Sequence, residues 1–314
     1  MNGSTKLFKI FGIQLQVHFS WWFIFLLLAW SLATAFFPQF YPNLSARTYW
    51  LMGIAASVLL FVSVILHELS HSLVAKLRGI KVESITLFFF GGVAGITDED
   101  ISPASEFMMA IAGPLFSLVL SGIFFLMFTF NGNLFIEAIT RYLYQVNFIL
   151  ALFNLIPGFP LDGGRAFRAL LHAYYRNILK ATSIAVTGGK VFAIVLMVWG
   201  VLGLFTTSGG GLWFVILGGF LYFIAGASYE QVLVKDILSK VTVGQLLKKS
   251  VVTLDPRMTF SAALSHYVRE EQESFPVKKG KTVVSILHFQ NVKNMSPDLQ
   301  KKLTVGSLAI PLEK

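Results

Sequence analysis

Three residues with the spacing of a metal site stand at the end of an apolar run: His67, Glu68 and His71, the pattern H-E-x-x-H. On a helix, residues four apart share a face, so both imidazoles can hold one Zn2+. No ionisable side chain occurs in residues 51–66 ahead of them. A charge near the centre of a lipid-embedded helix costs about 2.5–3.5 kcal/mol, so groups placed there are functional by default. Chance occurrence and a structural zinc are the competing explanations. Structural zinc sites are usually rich in Cys and this chain has none, which favours catalysis.

A catalytic zinc needs a third protein ligand and an open fourth position for water. The stretch L-F-N-L-I-P-G-F-P-L-D-G-G-R, residues 152–165, offers one. Pro157 and Pro160 break any helix there, and Asp162 is the only acidic residue between Glu137 and Glu230. A carboxylate in a broken apolar helix usually has a partner, and a metal on His67 and His71 supplies it. The alternative is a helix cap, because Asp before Gly is common in turns. An H-E-x-x-H in the same apolar chain favours the ligand, and the site so read holds one Zn2+ per chain.

The elements that must position these groups are membrane helices. Hydrophobic residues make up 55% of the chain and charged residues 13%, against about 25% charged in soluble domains. Runs long enough to span can be placed at residues 19–37, 50–66, 107–130, 142–156, 185–206 and 212–227. Six crossings put both termini on one side. The positive-inside rule makes that side cytoplasmic, because Lys6, Lys9, Lys76, Arg78, Lys81, Arg165, Arg168, Arg176 and Lys180 then outweigh Arg47 and Arg141 opposite. The zinc would lie within a plasma-membrane, multi-pass protein near its cytoplasmic face. The first apolar run lacks a small-residue cleavage site and reads as a retained span.

Short strands complete the membrane part. Residues 10–18 alternate around Gly12, which suggests a strand or surface hairpin. His18, just before the first span, reads as an interfacial side chain in preference to a ligand. Residues 78–95 read as a strand signal ending at Gly91-Gly92. An edge strand beside a metal site can receive an extended peptide by strand addition; a plain surface hairpin is the alternative. Ala110-Ile-Ala-Gly-Pro114 opens the third span with a glycine that allows close helix approach, so it should pack near the metal helix.

These motifs carry a resemblance. H-E-L-S-H at 67–71, followed by Asn154-x-x-Pro157-x-x-Pro160-x-Asp162-Gly163, resembles the site-2 proteases, intramembrane zinc metalloproteases of regulated intramembrane proteolysis. The similarity runs over about residues 1–228 and includes the opening K-L-F-K-I-F-G-I, the Gly91-Gly92 hairpin and Ala112-Gly113-Pro114. It implies that His67, His71 and Asp162 bind zinc, that Glu68 is the catalytic base, and that Asn154 positions the substrate or holds the scissile carbonyl. The implied substrate is a transmembrane helix of a membrane-tethered protein, cut near the cytoplasmic face. A metal transporter or receptor-like regulator that only binds metal is the rival function. It should distribute ligands along a pathway and show internal repeats, and neither is visible.

Charged residues crowd in after Glu230, which separates a transmembrane domain, 1–228, from a cytoplasmic domain, 229–314. Helix and strand signals alternate there, giving a small α/β unit that resembles one cystathionine-β-synthase (CBS) motif, with residues 303–308 like the opening of a second. Such domains work in pairs, so a homodimer through this unit is implied, and they often bind adenine nucleotides. Asn291 and His288 stand where the family commonly has an Asp and a Thr, which puts a structural or dimerising role ahead of ATP or AMP sensing. The net charge of +9 sits in loops beside spans and in a mixed-charge tail, and gives no reason to expect nucleic acid. The fold class is therefore a polytopic α-helical membrane protein of about six helices with a membrane-associated β-hairpin and a C-terminal CBS-like domain.

Overall fold

The computed structural model describes residues 4–88, 91–96, 101–130, 132–205, 211–242, 244, 251–270, 272–280, 282–291 and 303–312. The chain forms two compact units, Met1–Ile237 and Leu238–Lys314, and one helix, Gly211–Ser239, runs unbroken across residues 228 and 229.

The first unit begins with a hairpin, β1 (Ser4–Ile10) and β2 (Ile13–His18). Its two-residue turn places Phe11 and Gly12 at φ 50 and 78, the left-handed pair that matches strand twist in a tight hairpin. The alternation around Gly12 thus closes a real turn, with Ile13, Leu15 and Val17 buried on one face. His18 hydrogen-bonds to Ser20 through its backbone N–H and hydroxyl, holding the start of the first helix. β2 pairs in parallel with β3 (Val82–Phe88), and β3 pairs antiparallel with β4 (Gly91–Ile96), giving one four-stranded sheet in the order β1-β2-β3-β4. The Gly91-Gly92 segment is therefore the edge strand of a sheet that the N-terminal hairpin completes; Phe89 and Phe90 lie outside the described residues.

Among the described residues, five helices are long and apolar enough to cross a membrane. The first is Ser20–Phe40, made of α1 (Ser20–Ser31), a π turn at Leu32–Phe36 and α2 (Phe37–Phe40). The others are α3 (Ala46–Leu77), α4 (Pro103–Phe130), α7 (Ile178–Leu204) and α8 (Gly211–Ser239). The expected crossing at residues 142–156 falls on α5 (Leu134–Asn154), which carries Glu137 and Arg141 and is not among the five. The uninterrupted apolar run at 142–156 begins eight residues after the helix does, because the first two turns of α5 mix charge with apolar residues. A further helix, α6 (Asp162–Tyr175), is short and amphipathic.

Capping explains where the metal helix starts and stops. Ser45 accepts a hydrogen bond from the Thr48 N–H, satisfying an orphan donor of the first turn, and Gly79 at φ 82 turns the chain after Leu77. The inner face of the sheet, through Ile13, Leu15, Val82 and Ile85, packs on Leu69 and Ala75 of α3 and on Met109 of α4. At the other end of α3, Met52 and Ala56 pack with Ala138, Ile139, Tyr142 and Leu143 of α5.

The second unit builds its core from Leu254, Phe260, Ala263, Phe275, Val277, Leu287, Phe289 and Val305. It contains α9 (Phe260–Glu270), the three-stranded sheet β5 (Ser274–Lys279), β6 (Thr282–His288) and β7 (Ile310–Pro311), and one turn of helix, α10 (Val305–Leu308). Residues 303–305 return to the 256–260 segment, with Phe260 N–H on the Leu303 carbonyl at 3.0 Å and Val305 N–H on the Met258 carbonyl at 2.8 Å. His288 hydrogen-bonds to the Ser274 hydroxyl at 2.7 Å; the side chain of Asn291 lies outside the described residues.

Candidate metal centre

H-E-x-x-H sits in the last third of α3, where both histidines are buried: His67 is 4% and His71 7% exposed. Asp162 opens α6, and its Oδ2 lies 3.2 Å from His67 Nε2 and 3.1 Å from His71 Nε2, with the two imidazole nitrogens 3.2 Å apart. These side chains form a group whose ligand atoms all lie within 4.8 Å of one another. Residues 67, 71 and 162, far apart in the chain, are thus brought to one point.

The tautomers follow from the other ring nitrogens. His71 Nδ1 is 2.6 Å from the Met109 carbonyl, and a carbonyl only accepts, so Nδ1 carries the proton and Nε2 of the neutral ring is a bare lone pair. His67 Nδ1 is 2.9 Å from the Ser117 hydroxyl, which can accept in the same way. Three electron-rich atoms then face one another in a buried space, an arrangement that needs a cation or shared protons at its centre. Burial pushes the Asp162 carboxyl up, but hydrogen bonds and charge from His67 and His71, when those rings are protonated, hold it well below the usual carboxylate range. Metal and protons compete for the same lone pairs, and the donor set of two imidazoles and one carboxylate suits zinc with an open position.

Helix α4 supplies the supporting groups, as its A-G-P sequence foretold only in part. A Cβ on Gly113 would stand 2.6 Å from His67 Nε2, so glycine there lets α4 lie flush against the ligands. Ser117 and the Met109 carbonyl are four residues to either side of it on the same helix. Sequence reasoning gave α4 no chemistry. The close-packing signal was legible, but nothing in the chain told which histidine would meet which donor.

Asp162 is placed by the loop that precedes it. The loop before it docks on α7, where Phe159 N–H donates to the Ala185 carbonyl at 3.1 Å and the Phe159 ring packs with Ala185, Val186 and Ala225. Glu68, half-buried on the turn that carries both histidines, lies against β4: a Cβ on Gly92 would come 2.7 Å from its Cδ.

Asn154 is the last residue of α5, and its Nδ2 donates to the Leu150 carbonyl of its own helix at 3.0 Å. Asn147, which sequence reasoning passed over, is fully buried and donates to Leu143 O at 2.8 Å and to Ser63 Oγ at 3.4 Å. Contacts ascend together along both helices, from Met52 and Ala56 against Ala138–Leu143 to Ser63 against Asn147, so α3 and α5 run parallel. Asn154, seven residues on, then falls level with Ser70, one residue short of His71, by the common rise of about 1.5 Å per residue.

The sequence matches peptidase family M50 over residues 55–141 and 132–198. Rip3 of Mycobacterium tuberculosis (strain H37Rv) is 33% identical over 99% of this chain and 81% of its own. The zinc metalloprotease MJ0392 of Methanocaldococcus jannaschii is 32% identical over 93% of this chain and 80% of its own. The solved site-2 protease from Methanocaldococcus jannaschii aligns with a TM-score of 0.49 at 33% identity, covering 71% of this chain and 94% of that one.

Proposed function

Since the chain belongs to peptidase family M50, the family of the site-2 proteases, it is a multi-pass membrane zinc metalloendopeptidase, and we propose that it cleaves a transmembrane helix of a membrane-tethered protein near the cytoplasmic face. The observation that carries this reading is the convergence of His67, His71 and Asp162 inside an apolar helical unit. Those three residues hold the metal.

Zinc, when bound, lowers the pKa of a water toward about 7 and polarises a carbonyl. The chain's own groups do the rest. Met109 and Ser117 fix both rings with Nε2 inward, the outer-shell support that metal-bound histidines require. Glu68 takes the proton of the attacking water and returns it to the leaving amine. Asn154, level with Ser70 just before the metal helix's second histidine, holds the scissile carbonyl. A helix hides its carbonyls in internal hydrogen bonds, so the substrate must unwind locally before it can be cut. The side of β4 that pairs with no strand among the described residues, beside Glu68, receives the unwound segment by strand addition.

Helix α5, fourth in chain order, brings the crossings to six in this reading. Its 21 residues span about 31 Å, and its charged groups cluster at the start, where the Tyr41 hydroxyl meets Glu137 at 3.5 Å and Arg141 lies over the Phe40 ring. Six crossings put both termini in the cytoplasm. The second unit serves as a CBS-like dimerisation module.

The test is cleavage of a tagged transmembrane substrate by native protein and by Glu68→Gln. Loss of cutting by about 10²–10⁴-fold with zinc retained is expected of a lost base; equal cutting would contradict the assignment, and a metal carrier would transport zinc with no cutting at all.

A further inference from the structure

Outside the ligand set, an ion pair joins the two elements that carry the centre. Glu106, in the first turn of α4, is 4% exposed. Its Oε1 accepts from Arg168 Nε at 2.8 Å and also from Arg168 Nη2. Arg168 sits six residues after Asp162 on α6, and its guanidinium lies 4.7 Å over the ring of Phe159, three residues before Asp162. One side chain therefore grips the loop entering Asp162, the helix leaving it and the helix behind it.

Glu106 in turn is three residues, less than one helical turn, before Met109, whose carbonyl orients His71. The contacts close a ring: Asp162 to His71, His71 to Met109, along α4 to Glu106, across to Arg168, and along α6 back to Asp162. A buried carboxylate paired with an arginine is weak evidence for a stability role, because well-packed neutral residues often serve the fold as well. Its place at this junction points to another role.

We propose that Arg168 and Glu106 are positioning residues for the metal centre: the pair holds the start of α6 against α4 so that Asp162 reaches the lone pairs of His67 and His71. Arginine is required in preference to lysine, because only the planar guanidinium can bond Glu106 through two nitrogens while stacking on Phe159. The inference rests on the reading of His67, His71 and Asp162 as zinc ligands.

The test is zinc affinity of the full chain in detergent micelles, by competition with a chromophoric chelator. It compares native protein, Arg168→Lys, Arg168→Met, the double variant Arg168→Met/Glu106→Gln and His71→Ala, with melting of each metal-free protein alongside. Removal of an outer-shell partner typically weakens metal binding 10–100-fold. Arg168→Met and the double variant should lose at least tenfold, Arg168→Lys less, and the double variant should do so while its metal-free melting stays near native. Cobalt loaded in place of zinc should show an altered visible band in the same variants. Affinity within twofold of native in Arg168→Met, or in Arg168→Lys if the former does not fold, would overturn the proposal, as would weakening only in step with metal-free melting. Native protein that binds no stoichiometric zinc, or binds it equally in His71→Ala, would instead remove the ligand reading beneath it.

Discussion

Gly113→Ala puts one methyl group where the ligands converge, and the structure sets how much must give. The added carbon would stand 2.6 Å from His67 Nε2 and nearer still to His71 Nε2. Unstrained contact distances are about 3.5 Å, so the overlap is about 1 Å. Helix α4 cannot retreat that far without losing the bonds that His67 Nδ1 makes to the Ser117 hydroxyl, at 2.9 Å, and His71 Nδ1 to the Met109 carbonyl, at 2.6 Å, because both partners flank Gly113 on that helix. The imidazoles must turn, and zinc sites tolerate only about 0.2 Å of error in ligand distance. Losing a mere outer-shell partner costs 10–100-fold in metal affinity; displacing both rings should cost more than about 100-fold, with cleavage lost in parallel. The assay is zinc content after dialysis against a chelator, with Gly122→Ala as control. Gly122 lies on the same helix, and a Cβ there meets no other described part of the protein within 4 Å beyond the backbone of its own turns; alanine suits a helix better by about 1 kcal/mol, so zinc and cleavage should stay native. A Gly113→Ala protein that holds zinc as tightly as native would refute this account of how α4 meets the ligands.

Two more outcomes separate metal holding from proton transfer. Ser117→Ala removes the Nδ1 partner of His67 and should weaken zinc binding about 10–100-fold while leaving the metal-free fold intact, as read by chelator competition and by melting. Gly92→Ala should do the reverse, since its new methyl group would meet the Glu68 carboxylate and not the imidazoles: cleavage falls by about 10²-fold or more with zinc content at one per chain.

The residues of the candidate centre stand out in the sequence because each is chemically out of place: two histidines, with a glutamate between them, ending an apolar run, and one aspartate between two prolines and two glycines. The sheet was half legible. Alternation around Gly12 and the β-branched run before Gly91 marked strands, but parallel pairing of Gln14 with Ser84 joins segments that no local pattern connects. Helix α5 was placed late because a hydropathy window discounts the turn containing Glu137 and Arg141, whose charges are satisfied at the helix start by Tyr41 and Phe40. Ser117, Met109, Glu106 and Arg168 could not have been found. Serine and a backbone carbonyl carry no spacing signal, and an arginine near the membrane reads as topology until its partner 62 residues away is seen.

The most direct measurement of the central claim is X-ray absorption at the zinc edge on native and Asp162→Ala protein. The native spectrum should show one zinc with two imidazoles and light-atom ligands at about 2.0–2.2 Å, and the variant should keep both imidazoles while its oxygen shell changes. A shell containing a number of imidazoles other than two, or one that Asp162→Ala leaves untouched, would contradict it.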